Sequence, residues 1–165
     1  MRHIISILLQ NEAGALARVA ALFSSRGYNI ESLSVAPTEH NELSRLTLVT
    51  TGSEEVIEQI VTQLEKLVDV VSIADMTQDA HIERELLLLK LRLNPGGEAA
   101  MAPLVDAFEA RVMDDAAANY TVELTSANDR IDEFIGKAVK CGEIVSVVRS
   151  GAMAVARGQQ VLRTR

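Results

Sequence analysis

The sequence predicts an α+β fold of two ferredoxin-like β-α-β-β-α-β units, each an antiparallel sheet with its helices on one face. Three observations carry this expectation. Short, β-branched apolar runs alternate with segments whose apolar residues recur at helical spacing. Gly, Pro and Asn punctuate the joins between them. The same order of elements occurs over residues 1–77 and again over 78–165, with little residue-level identity between the halves.

Residues 3–9, HIISILL, are too short for a good helix and rich in β-branched side chains, so they read as a strand. Leu16, Val19, Ala20 and Phe23 then follow the i, i+3, i+4, i+7 rule of a one-sided helix, which Gly27 stops at its C′ position. Residues 29–36, NIESLSVA, and 43–51, LSRLTLVTT, read as a hairpin turning through Pro37 and the polar TEHNE. Ser53 is a natural N-cap for a helix that turns Val56, Ile57, Ile60, Val61 and Leu64 inward, and Glu54 and Glu55 suit the positive end of its dipole. VVSIADM closes the first unit as a strand.

The second unit opens with ERELLLLKLRL (83–93) as a strand, and Asn94-Pro95-Gly96-Gly97 breaks it. Met101, Leu104, Val105 and Phe108 give residues 98–110 helical spacing, and RVMDDA and NYTVELT read as two strands. A helix then starts at Ser126 or Asn128, with Ile131, Phe134, Ile135, Ala138 and Val139 inward. Gly142 stops it, and EIVSVVRS is read as the last strand. IISILL and LLLLKL are apolar on both alternate faces, although the helices cover only one. Small units also leave much of their surface unburied, and together these facts predict a homodimer.

Bulk composition narrows the function. At 48% hydrophobic and 3% aromatic residues with no Trp, the chain predicts a packed, aliphatic core. The formal net charge of -7 argues against a nucleic-acid partner or an anionic membrane surface, despite the basic RTR ending. The lone Cys141 excludes an internal disulfide and a multi-Cys zinc site, and reads as a core or helix-end residue. The short apolar start lacks the length of a signal peptide or a spanning helix, so a soluble, cytoplasmic chain is expected. His3, His40 and His81 lack metal-type spacing and read as strand-edge or turn residues. The adjacent pairs Glu54-Glu55 and Asp114-Asp115 point to different sides of their elements, so neither forms a paired-carboxylate site. No nucleophile and base stand together, against a stand-alone enzyme, and no DNA-binding helix pair supports a transcription regulator.

One stretch invites a binding role: residues 11–30, NEAGALARVAALFSSRGYNI. A helix N-terminus offers unpaired N–H groups and partial positive charge to a carboxylate. Gly14 lets a ligand approach the backbone, and Asn11 and Asn29 can each donate and accept. That combination suits a small zwitterion with an apolar tail, an amino acid. Ordinary capping explains the same residues, and both readings stand at this level.

The run from NEAGALARV through RGYNIESL, SVAPTE and SRLTL, with KLVDV and HIERELLLLK beyond it, closely resembles the ACT domain. More narrowly, it resembles the small regulatory subunit family of acetolactate (acetohydroxyacid) synthase. The second half matches more loosely, through its length and the closing IVSVVRSG…RG pattern, and residues 94–130 depart from the family. The resemblance implies an ACT domain at 1–77 and a C-terminal ferredoxin-like domain at 78–165, with no catalysis of their own. It implies a chain that binds a catalytic large subunit, raises its activity and confers feedback inhibition by valine. The thiamine diphosphate, Mg²⁺ and FAD would belong to the large subunit, and none to this chain. In the family, valine sits between two ACT modules of a dimer. Carried over, this places Asn11, Gly14, Ala15 and Leu16 on one side of the site, and Asn29 and Ile30 across the interface. Valine, leucine and isoleucine all remain candidate effectors.

Overall fold

The computed structural model describes residues 1–158 and 162. The order of elements is β1 (Arg2–Gln10), α1 (Ala15–Ser25), β2 (Ser32–Pro37), β3 (Leu43–Thr51), α2 (Glu54–Leu64) and β4 (Val70–Asp75). It continues with β5 (His81–Leu93), α3 (Gly97–Phe108), β6 (Arg111–Asp114), β7 (Tyr120–Ser126), α4 (Asn128–Ala138), β8 (Gly142–Arg149) and β9 (Met153–Ala156). The two β-α-β-β-α-β units are present. EIVSVVRS is not the last strand, because Gly151 takes a left-handed φ of 79° and lets the chain turn into β9. β9 is four residues long and follows Gly-Ala, so it leaves no alternating pattern to read.

In the first sheet the order is β2-β3-β1-β4, all antiparallel. β1 and β3 pair without interruption from Arg2↔Thr51 to Gln10↔Leu43. Ile5, Ile7 and Leu9 turn to the helices, where they pack with Val19 and Phe23 of α1 and Ile57, Ile60 and Leu64 of α2. Ser53 caps α2, its side chain accepting from the Val56 N–H. β2 begins at Ser32 rather than at residue 29, because the ladder to β3 starts at Ser32↔Val49 and residues 29–31 only lead into it.

The other face of β1 is covered by the chain itself. Ile4, Val49 and Met76 cluster with Ala152 and Ala154 of the closing segment. Farther along, Arg45 donates to both Ser6 Oγ and the Leu162 carbonyl. The contacts therefore assign residues 152–158 and 162 to the compact unit of Met1–Ile82, and leave Glu83–Gly151 as the second. The linear pattern groups that segment with the second domain at 78–165. Its long-range contacts, invisible in a linear pattern, tie it to the first. The basic ending at 163–165 lies outside the described residues.

In the second unit the order is β6-β7-β5-β8, and β9 also pairs β5. Leu87, Leu89 and Leu91 face Met101 and Phe108 of α3 and Ile131, Phe134 and Ala138 of α4. Cys141 is buried in the same core. On the opposite face of β5 Leu88 is 37% exposed, so this strand, unlike β1, is buried on one face only. Arg149 of β8 grips the buried Glu85 through two hydrogen bonds of 2.8 Å and reaches Asp132 at 2.7 Å, tying β5, β8 and α4 together. α4 ends at Ala138 rather than at Gly142, which opens β8 against Leu93 of β5, where a Cβ would stand 2.4 Å from the Arg92 carbonyl oxygen. Gly142→Ala should therefore lower stability by about 1–3 kcal/mol through overpacking against backbone that cannot yield. Urea unfolding checks this; an unchanged midpoint would show that β5 and β8 can part at that point.

Candidate functional site

The corner at residues 11–16 is held from two directions. The Asn11 N–H donates to the Glu42 carbonyl and its side-chain Nδ2 to the Asn41 carbonyl, each at 2.8 Å, which fastens the loop to the start of β3. That leaves the Asn11 Oδ1 as an acceptor at an exposed position. Gly14 is the N-cap of α1 with φ 88°, a left-handed conformation that a side chain strains, and no side chain caps the helix. α1 has no acidic residue in its first turn, in contrast to α2 with its Ser53 cap and Glu54 and Glu55. The Ala15 N–H is taken by the Glu12 carbonyl at 3.2 Å, and the Arg18 N–H by the Gly14 carbonyl at 3.0 Å. Among the described residues nothing accepts from the N–H groups of Gly14, Leu16 and Ala17, so the corner keeps free donors on both sides of Ala15. Ala15 points its methyl into the core, whereas Leu16 is 38% exposed at the corner.

Sequence reasoning missed the side chains that set this corner. Arg18, one turn into α1, makes a bidentate pair with Asp69, donating from Nη2 to Oδ1 at 2.7 Å and from Nε to Oδ2. Asp69 is buried, just before β4, and its carbonyl accepts from the Gln10 N–H at 2.8 Å. The pair thus ties the start of α1 to the end of β1 and the entry of β4. Fifty-one residues separate its members, and no local pattern could have paired them. The guanidinium also lies over Gly14, where a Cβ would stand 2.9 Å from Arg18 Nη1. These hydrogen bonds hold the Asp69 carboxyl below its ordinary value of 3.8, and Asp69 in turn raises the Arg18 guanidinium.

Asn29 and Ile30 sit elsewhere in the same unit. The Asn29 carbonyl accepts from Thr50 Oγ1 at 2.6 Å, and the Glu31 N–H donates to the Val49 carbonyl. Asn29 is exposed, and Ile30 is half-buried against the helix-side core. Asn11 is anchored beside Leu43 and Asn29 beside Thr50, so the two groups lie at opposite ends of β3, about 20 Å apart at the usual strand rise. One copy of the chain does not bring the six predicted residues together.

Such a unit, a four-stranded antiparallel sheet backed by two helices with an open loop-helix corner, has the architecture of a regulatory domain of ACT type. A family model described as "AHAS small subunit-like ACT domain" matches residues 5–72. One described as "Small subunit of acetolactate synthase" matches residues 84–158. The chain is 45% identical over 163 residues to the acetolactate synthase isozyme 3 small subunit of Salmonella typhimurium, covering 99% of this chain and 100% of that one. It is 44% identical to the protein of the same name from Escherichia coli, with the same coverage. The crystal structure of the acetolactate synthase small subunit from Thermotoga maritima superposes with a TM-score of 0.84 at 31% identity, covering 97% of this chain and 99% of that one. The chain belongs to the acetolactate synthase small-subunit family. Among the described residues no helix is long and apolar enough to cross a membrane, and no three His, Cys, Asp or Glu side chains are grouped to hold a metal.

The Arg18–Asp69 pair makes an acid-sensitive clamp. Because the folded pKa of Asp69 lies below the unfolded one, the pair stabilises the fold above pH 3.8 and that contribution disappears as pH falls through the lowered value. Asp69→Asn should therefore flatten the acid limb of a stability-against-pH curve below pH 3.8 while costing stability at neutral pH. Equal slopes for the two proteins in that range would show that the clamp does not set the acid response.

Proposed function

We propose that this chain is a non-catalytic regulatory subunit of acetolactate synthase, which binds the catalytic large subunit, raises its activity and confers feedback inhibition by valine in branched-chain amino-acid biosynthesis. The observation that carries this reading is the 45% identity to an acetolactate synthase small subunit over the whole of that protein's length. On this reading the thiamine diphosphate, Mg²⁺ and FAD reside in the large subunit, and the assembly works in the cytoplasm.

The geometry supports a valine site shared by two copies. The carboxylate of the ligand would accept from the Leu16 and Ala17 N–H groups, where the helix dipole adds positive charge. Its ammonium would donate to Asn11 Oδ1, and its isopropyl group would lie on the exposed Leu16. Asn29 and Ile30 of a second copy would close the site. β2 is an edge strand with Val35 39% exposed, open to pairing with its own counterpart. Antiparallel pairing of two β2 strands about a two-fold axis sets the Ser32 end of one against the Pro37 end of the other. The Pro37 end pairs with Ser44, at the end of β3 that holds Asn11, so this pairing carries the partner's Asn29 toward the 11–16 corner. Valine then regulates by favouring one arrangement of the dimer over another, with a coupling on the usual scale of about 1–3 kcal/mol.

Gly14→Asp tests the placement. The new carboxylate would sit where the ligand's own should go, and next to Arg18, which it would draw away from Asp69. In a mixture of the purified chain and the large subunit, the variant should still activate, but half-inhibition should require about tenfold more valine or worse, equivalent to about 1.4 kcal/mol. Unchanged valine inhibition would move the site elsewhere, and failure of the parent chain to activate the large subunit would overturn the reading as a whole. Calorimetric titration with valine, leucine and isoleucine ranks the effectors.

A further inference from the structure

The helix-side face of the first sheet holds a second feature, at the opposite end of β1 from the 11–16 corner. Past Ile5 the core gives way to a cavity of about 640 Å³ under the first turns of α2. Its titratable lining is His3 from β1, Asp75 from the end of β4, and Glu54 and Glu58 from α2; Thr62 and Gln78 add neutral polar groups, and Ile57 and Val61 are apolar. None of the six residues expected to bind valine lines it.

His3 is the informative residue. The sequence reads it as a strand-edge histidine, yet β1 is a central strand and His3 is 2% exposed. Both ring nitrogens are buried without a hydrogen-bond partner. The nearest candidate, Asp75 Oδ2, lies 3.7 Å from Nδ1, beyond hydrogen-bonding distance. Buried polar atoms are ordinarily satisfied, so two orphaned nitrogens on one ring facing a cavity mark a place where something else donates or accepts. Asp75 is held ready: its Oδ1 accepts from the Thr77 N–H and hydroxyl, which leaves Oδ2 turned toward the cavity and His3. Glu54 accepts from Gln78 Nε2, also in the cavity lining, at 3.5 Å.

The charges select the ligand. Three carboxylates and no Lys or Arg line the cavity, so it favours a cation. The cation is not a metal ion, because no three acidic, His or Cys side chains among the described residues are grouped to ligate one. The carboxylates stand instead on two walls, Asp75 on the sheet and Glu54 and Glu58 on the helix, with Ile57 and Val61 on the same helix as apolar lining. A volume in the range of small-ligand sites exceeds what one inserted side chain fills. We propose that this cavity binds a free aliphatic diamine. One ammonium donates to Asp75 Oδ2 and to an unprotonated ring nitrogen of His3. The methylenes lie on Ile57 and Val61, and the second ammonium meets Glu54 and Glu58.

The test titrates putrescine into the full chain and follows the ring ¹⁵N signals of His3, with exposed His40 as an internal reference. The expected result is a saturable shift confined to His3, absent with the uncharged isostere butanediol and weaker with Nα-acetyl-lysine methylamide, which carries a single ammonium on a peptide. Glu58→Gln, an exposed and fold-neutral change, should weaken putrescine binding about threefold, the scale of one partly exposed ion pair. The proposal is overturned if the His3 signals do not move, if butanediol moves them equally, or if Glu58→Gln leaves the titration unchanged. Equal or tighter binding of the capped lysine would assign the cavity to a protein side chain and overturn the free-ligand assignment. The measurement needs neither the large subunit nor valine, so its outcome is independent of the regulatory function.

Discussion

Everything in the first unit depends on β1 being covered on both faces. Seven consecutive residues, from His3 to Leu9, are buried in the central strand of a four-stranded sheet. α1 and α2 cover Ile5, Ile7 and Leu9, while the closing segment of the chain contributes Ala152 and Ala154 against Ile4 on the other side. At roughly 25 cal/mol per Å² of apolar area, a strand sealed on both faces contributes far more than one left half-wet. The cover also explains why the chain returns to the first sheet after completing the second. The small side chains of Ala152 and Ala154 suit a close approach to the sheet, which larger residues would hold off.

That arrangement changes the case for a second copy. Two-faced apolar strands suggest an intermolecular cover, but in β1 part of that cover is intramolecular. In the proposed valine site, the reason for a second copy is the placement of the corner residues. Asn11 is fixed at one end of β3 by its N–H on the Glu42 carbonyl, and Asn29 at the other by its carbonyl on the Thr50 hydroxyl. β5 differs again. Its outer face mixes Leu88 with Lys90 and Arg92, so partial exposure costs it less than it would cost the wholly apolar β1.

The corner itself combines two kinds of control. Gly14 supplies a left-handed residue that no side chain encumbers, and the N–H groups that follow stay free because neither a cap nor an acidic first turn satisfies them. Arg18 and Asp69 fix where that corner stands relative to the sheet. The arginine lies over the glycine, so the open backbone and the clamp are one unit: a side chain at position 14 disturbs both.

Periodicity and punctuation were enough to place every element but β9, because amphipathic helices and short apolar strands are local patterns enforced by burial. Ser53 and Gly27 marked their boundaries for equally local reasons, a side-chain cap and a left-handed residue. The motif around residues 11–30 likewise located the loop-helix corner at Gly14. What the linear pattern could not hold were relations between distant residues. The Arg18–Asp69 pair, the return of 152–156 to the first sheet and the buried, unpartnered ring of His3 depend on which strands become neighbours. That choice is made by packing a whole core at once, so only the tertiary structure decided them.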